Sequence, residues 1–163
     1  MQHWQPAYVG VGSNLDGPRE RVLQAFDALA FIPDSRLWAR SPLYRTAPQG
    51  RTDQPQFVNA VAGLLTQLDA SAFHRELQQL QRQLGREPAT QRWGPRVIDL
   101  DLLVFGAEQL ATAELTVPHP RMAERAFVLY PLADIAAFLE VPGLGQVQQL
   151  LQRLPEQGVR RLD

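Results

Sequence analysis

Asp99 and Asp101 interrupt an otherwise apolar run from Val97 to Val104. Side chains alternate along extended backbone, so both carboxylates leave one face, flanked by Val97 and Leu103. Ile98, Leu100, Leu102 and Val104 are expected to form a continuous apolar row on the opposite face. At about 3.3 Å per residue the two acidic positions lie ~6.6 Å apart. That spacing suits one hard cation held by both carboxylates, or two cations about 3.5–4 Å apart bridged between them. Two like charges on a half-buried strand repel and lose hydration, so they need a positive partner. Arg92 and Arg96 are near enough in sequence to be that partner, and the pair alone does not choose between an arginine and a metal ion.

Arg82, Arg86, Arg92 and Arg96 crowd the approach to this strand. Guanidinium forks match phosphate oxygens two at a time, so arginines beside a carboxylate metal site point to a polyphosphate. All 16 basic residues are arginine. The chain therefore has no Walker-A, Schiff-base or kinase-type lysine, and phosphate must be handled by arginine, backbone amides and metal. His119, held between Pro118 and Pro120, is either a rigid loop residue or a further phosphate partner, a role open to both of its protonation states. With 3 His and 0 Cys, zinc-type spacing is missing. These residues converge on Mg²⁺-dependent phosphoryl transfer without a P-loop, and they do not name the acceptor.

A scaffold must hold these groups. At 163 residues, 45% hydrophobic and 20% charged, the chain reads as a single domain, 1–163, with a substantial core. The net charge of −1 offers no field for nucleic acid. No apolar run is long enough to span a membrane, and no signal peptide is evident, so the expectation is a cytoplasmic protein. Residues 7–12 read as a strand, and Pro18 opens a helix capped by Asp16 or Gly17, with Val22, Phe26 and Leu29 buried. Gly10-Val11-Gly12 lacks the third glycine of a dinucleotide fingerprint and is expected to be a tight turn. Residues 37–44 read as one strand marked by Pro42 as an edge or bulge, and residues 45–55 as a long loop. Residues 56–65 form a strand with Phe57, Asn59 and Val61 on one face. A second helix, capped by Asp69 or Ser71 and stopped by Gly85, buries Phe73, Leu77, Leu80 and Leu84. Short helices are expected at 121–125, 127–135 and 145–153, and the tail after Gly158 shows no pattern. The order is βαββαβ, which favours an α+β, ferredoxin-like core with a mainly antiparallel sheet covered by helices.

Arg92-Trp-Gly-Pro-Arg96-Val-Ile-Asp99-Leu-Asp101-Leu-Leu resembles the signature of the 6-hydroxymethyl-7,8-dihydropterin pyrophosphokinase family at every position. Val11 to Leu15, Ser41 to Thr46, Gln54 to Ala60 and Val117 to Leu132 follow in the family's order, so the resemblance covers residues 7–153. It implies transfer of pyrophosphate from ATP to the pterin hydroxymethyl oxygen, with AMP released, in folate biosynthesis. By position, Asp99 and Asp101 hold two Mg²⁺ ions, and Arg86 and Arg96 act on the phosphates during transfer. Gln78, Arg86, Trp93, Arg96, His119 and Arg125 match ATP-binding positions, with Arg92 and Trp93 on a loop that closes over the site. Phe57 and Phe127 match the aromatics that sandwich the pterin, and Thr46, Asn59 and the backbone around 47–49 match its hydrogen-bonding edge. A monomer that binds neither nucleic acid nor membrane is expected. The chain departs from the pattern at Pro88 and Ala89, where basic residues are common, at Gln81, where glutamate is common, and at Glu114. Two rivals stand beside this reading. A two-metal nucleotidyltransferase would release pyrophosphate rather than AMP. A sheet-based nucleic-acid module would stack bases on the aromatics, against which the acidic pair counts.

Overall fold

A computed structural model describes residues 3–14, 17–46, 56–85 and 98–162. In chain order the elements are β1 (Gln5–Ser13), α1 (Pro18–Leu29), β2 (Ser35–Arg40), β3 (Tyr44–Thr46), β4 (Phe57–Thr66), α2 (Ala70–Leu84) and β5 (Asp99–Phe105). There follow β6 (Leu110–Ala111), β7 (Thr116–Val117), a 3-10 turn (Met122–Glu124), α3 (Ala126–Ala136), β8 (Glu140–Val141), β9 (Gly145–Gln146), α4 (Val147–Gln152) and β10 (Val159–Arg161). The main sheet has six strands in the order β10-β3-β4-β1-β5, and β2 joins β4 on the same side as β3. Every pairing in it is antiparallel. This is the ferredoxin-like βαββαβ core, with β2 and β3 together filling the place of one strand.

Local chemistry explains the boundaries. Pro18 starts α1, and its N-cap is Gly17, at a left-handed φ of 68°. Asp69 caps α2 by accepting a hydrogen bond from the Ala72 amide at 2.8 Å. Val22, Phe26 and Leu29 of α1 and Phe73 and Leu77 of α2 are buried as the periodicity predicts, while Leu80 and Leu84 pack only at the margin. The expected strand over 37–44 divides in two. Pro42 has no amide hydrogen to donate, and the ladder is patched by Ser41, whose hydroxyl accepts from the Val61 amide at 2.8 Å. Ser41 also donates its own amide to the Val61 carbonyl at 2.9 Å.

The two sheet faces carry separate apolar clusters. Alternate residues Ala7, Val9 and Val11 of β1 and Ala60, Ala62 and Leu64 of β4 pack under α1 and α2. Tyr8, Val61 and the inward faces of α3 and α4 make the second cluster. Here β5 departs from simple alternation. Val9 pairs with Leu102 but Tyr8 pairs with Val104, so Leu103 is an extra residue. The bulge turns Val104 to the α3 side with Leu103 and sends Phe105 to the α1–α2 side. The row of Ile98, Leu100, Leu102 and Val104 thus ends one residue early.

Three further expectations change. Gly10-Val11-Gly12 is no turn: both glycines sit inside β1. The chain after Gly158 is ordered as β10, pairing with β3. The 121–125 helix is the short 3-10 turn, and α3 begins at Ala126. Phe73 is fully buried and its ring lies 6.1 Å from that of Phe105. Phe73→Ala is expected to cost about 3–5 kcal/mol in urea unfolding, since the packed site cannot collapse around the void.

Candidate active site

The antiparallel register sets residues of three strands side by side. Gly12 of β1 lies between Asp99 of β5 and Asn59 of β4, and Gly10 lies between Asp101 and Val61. These rows face the α3 side of the sheet, and the two glycines put no side chain between the acidic strand and the asparagine. A cavity of about 530 Å³ opens over this floor. A Cβ on Gly12 would stand 2.5 Å from Asn59 Oδ1, so the absence of a side chain there is what lets the amide lie as it does.

The cavity brings together Asp99, Asp101, Thr46, Phe57, Asn59, Arg125 and Phe127. Seven of the residues singled out from sequence therefore meet in one place. Phe57 opens β4 and is 40% exposed, a large apolar ring left at the mouth. Thr46 lies opposite it in the register. The Thr46 Oγ1 atom is buried without a hydrogen-bond partner among the described residues, a polar group that a ligand can satisfy. Phe127 comes from the first turn of α3, and the Arg125 guanidinium carbon sits 5.5 Å over its ring centroid. The opposite wall is thus a cation and an aromatic from one short stretch.

Helix α3 is fixed against β3. The Tyr44 hydroxyl donates to the Asp134 carboxylate, and the Tyr44 and Tyr130 rings stack at 5.9 Å. Burial raises the Tyr44 phenol pKa above its usual range, and the bond to Asp134 adds to the effect, so the hydroxyl stays a donor at all ordinary pH.

Among the described residues two restraints hold the β5 edge that faces away from β1. The Leu100 amide, between the two aspartates, donates to Gln81 Oε1 on α2 at 2.9 Å. The Leu103 carbonyl accepts from the His119 amide at 2.8 Å. Gln78, an expected nucleotide contact, lies exposed on α2 and does not line the cavity. One helical turn on, Gln81 supplies the contact with the acidic strand, a role that the chain order alone did not signal.

His119 does not line the cavity, although Asp101 is close enough to act on its charge. Burial lowers the imidazole pKa below its ordinary 6.5; Asp101 opposes this shift, and Arg125 and Arg121 assist it. The ring is therefore mainly neutral at pH 7. Its Nδ1 accepts from the Arg121 amide at 3.2 Å, which leaves the proton on Nε2.

Among the described residues no three carboxylates or histidines converge on one point, so Asp99 and Asp101 stand as a two-carboxylate set. Arg86, Trp93 and Arg96, with Arg92 and the backbone at 47–49, lie outside the described residues.

The family model for 7,8-dihydro-6-hydroxymethylpterin-pyrophosphokinase (HPPK) matches residues 8–137. A 2-amino-4-hydroxy-6-hydroxymethyldihydropteridine pyrophosphokinase of Pseudomonas aeruginosa is 47% identical over 158 residues, 97% of each chain. One from Bacillus subtilis is 42% identical over 138 residues, covering 82% of this chain and 80% of its own. Among solved structures, wild-type Plasmodium falciparum HPPK-DHPS superimposes with a TM-score of 0.70 at 13% identity, over 93% of this chain and 41% of that one. This chain thus spans less than half of that structure, and the likeness is one of fold.

Two measurements follow from the geometry. Gln81→Leu strands the Leu100 amide and is expected to cost about 1–3 kcal/mol, with faster hydrogen exchange at that amide. An NMR titration should place the His119 midpoint below 6.5. Below that pH the unfolded chain takes up a proton that the native ring resists. The contribution of His119 to stability is therefore full above the unfolded pKa and declines as pH falls.

Proposed function

This chain belongs to the 7,8-dihydro-6-hydroxymethylpterin pyrophosphokinase family, and from that premise we propose how it carries out the transfer. Pyrophosphate passes from ATP to 6-hydroxymethyl-7,8-dihydropterin, giving the pterin diphosphate and AMP, a step of folate biosynthesis. The observation that carries this reading is the single cavity in which a carboxylate pair meets two aromatic rings and an amide. A rival that binds nucleotide alone would need no such second half.

The residues that line the cavity have roles that their positions support. Phe57 and Phe127 stack on the two faces of the flat pterin, an apolar heterocycle with polar edges. Asn59 and the Thr46 hydroxyl, without a partner among the described residues, take its hydrogen-bonding edge. Asp99 and Asp101 face the phosphates across the glycine floor. The donor set fits magnesium, because two hard carboxylates share one face and a nucleotide-bound Mg²⁺ draws its other ligands from phosphate and water. Two bound Mg²⁺ ions would supply charge neutralisation and polarisation of the transferred group. Arg125, on the cavity wall, attends the triphosphate, and His119, beyond the lining, is assigned to it by the family resemblance, with Nε2–H as its donor. Arg86 and Arg96 are proposed to act on the phosphates, Trp93 to close over the nucleotide, and Gln78 to contact it. Their part rests on the family resemblance alone.

In the transfer, the hydroxymethyl oxygen forms a bond to the β-phosphorus. The bond from that phosphorus to the α–β bridging oxygen breaks, and AMP leaves with that oxygen. The hydroxyl proton passes to Asp99 or to bulk water. The protein contributes positioning and fixed charge rather than a covalent intermediate.

Among the described residues six strands share the main sheet, with α1 and α2 packed on one face and α3 and α4 on the other, which supports reading 1–163 as one pyrophosphokinase domain. No helix among the described residues is long and apolar enough to cross a membrane. A cytoplasmic monomer that binds no nucleic acid is part of the proposal.

Purified protein incubated with ATP, Mg²⁺ and the hydroxymethyldihydropterin should yield AMP and pterin diphosphate in equal amounts. Release of ADP or pyrophosphate would refute the transfer. Asp99→Ala and Asp101→Ala should each lower turnover by about a thousandfold or more while circular dichroism stays native. Phe57→Ala should weaken pterin binding about tenfold or more and nucleotide binding little; equal losses would count against the stacking role.

A further inference from the structure

The cavity has a wall that neither the sequence pattern nor the family model, which ends at residue 137, accounts for. Gln157 and Val159 line it from the C-terminal segment. Val159 is brought there by β10, where it pairs with Thr46. The Leu162 amide anchors the same segment to the Leu43 carbonyl at 2.8 Å. Between α4 and β10 the chain turns at Gly158, with a φ of 72°, which delivers Gln157 to the start of α3.

Gln157 makes two hydrogen bonds there. Its Oε1 accepts from the Ala126 amide at 3.0 Å, and its Nε2 donates to the Glu124 carbonyl at 3.0 Å. An amide hydrogen can only donate and a carbonyl oxygen can only accept, so one orientation of the Gln157 amide satisfies both. The two bonds grip the peptide groups on either side of Arg125. That residue needs gripping, because its backbone is extended, with φ −114° and ψ 105°, where the 3-10 turn gives way to α3. No side chain of the N-cap residue closes the helix start, and Gln157 takes up that work from a distant part of the chain.

We propose that Gln157 is a positioning residue for the transfer, acting through Arg125 and Phe127. This rests on the proposed function, since Arg125 is read there as a phosphate partner and Phe127 as a pterin wall. Arg125 lies over the Phe127 ring, so a shift of the α3 start moves cation and aromatic together. Gln157 thereby couples the pterin wall to the phosphate-facing cation, and the C-terminal strand becomes part of the substrate site.

The test compares Gln157→Leu and Gln157→Glu with the wild-type protein, each also combined with Phe127→Ala. Pterin binding is read by fluorescence, turnover by AMP release and folding by thermal melting. Gln157→Leu should weaken pterin binding about tenfold, the effect of stranding a polar group at the helix start. Gln157→Glu keeps the acceptor for Ala126 but cannot donate to Glu124, so it should fall between Gln157→Leu and wild type. In the Phe127→Ala background the Gln157→Leu loss should shrink to less than about twofold, because the residues act as one unit. A tenfold loss that persists there, or wild-type binding by both single variants, would overturn the proposal. Should Gln157→Leu fail to fold, Gln157→Glu decides alone by the same comparison. Absence of AMP from the wild-type protein would instead strike the proposed function.

Discussion

Everything at this site depends on the register of β5, β1 and β4. Antiparallel pairing fixes which residues stand abreast, and here it sets Asp99, Gly12 and Asn59 in one row with Asp101, Gly10 and Val61 beside it. A slip of one residue would turn both carboxylates into the apolar cluster under α1 and α2. The cost of burying two unpaired charges makes such a slip untenable, so the catalytic reading and the folding of the sheet rest on the same alignment. The two glycines matter for a related reason: the floor between acid pair and amide is bare backbone, and any Cβ at Gly12 would strike the amide.

The opposite wall is built by different means. Helix α3 brings Arg125 and Phe127 over the floor, and it is held by polar contacts from two distant segments. Tyr44 on β3 reaches Asp134, and Gln157 before β10 grips the helix start. The α3 and α4 cluster covers only part of this sheet face, leaving the glycine end open as the cavity. Apolar packing thus sets where α3 lies, and hydrogen bonds set where its first turn points. The electrostatics follow the same division. Acidic charge comes from the sheet and cationic charge from the helix start, and both Asp101 and Arg125 act on the mainly neutral His119.

Local pattern revealed the features that depend on one strand or one helix. The shared face of Asp99 and Asp101 follows from their spacing of two, and the faces of Phe57 and Asn59 likewise. Helix α1 was plain from Pro18 and its apolar stripe. What the pattern could not show depends on partners far away in the chain. The bulge at Leu103 exists only in relation to Tyr8 and Val9, so the fate of Val104 was not legible in its own neighbours. Gly10 and Gly12 look like a turn until the strands beside them are known. Gln78 and Gln81 are one turn apart on α2, and only docking of that helix decides which of them meets β5. Gln157 sits in a tail with no periodic signal, and its two contacts lie more than thirty residues away. Arg86, Trp93 and Arg96 lie outside the described residues, so their roles continue to rest on the family resemblance.

We propose that Asp99 and Asp101 are neutralised by cations that the nucleotide carries. Calorimetric titration of ATP, with and without Mg²⁺, into the wild-type protein and into the Asp99→Asn, Asp101→Asn double variant tests it most directly. Tight binding by the wild-type protein is expected only when Mg²⁺ is present, with loss of that metal dependence in the double variant. Equal affinity of the wild-type protein for ATP with and without Mg²⁺, or unchanged Mg²⁺-dependent binding by the double variant, would contradict it.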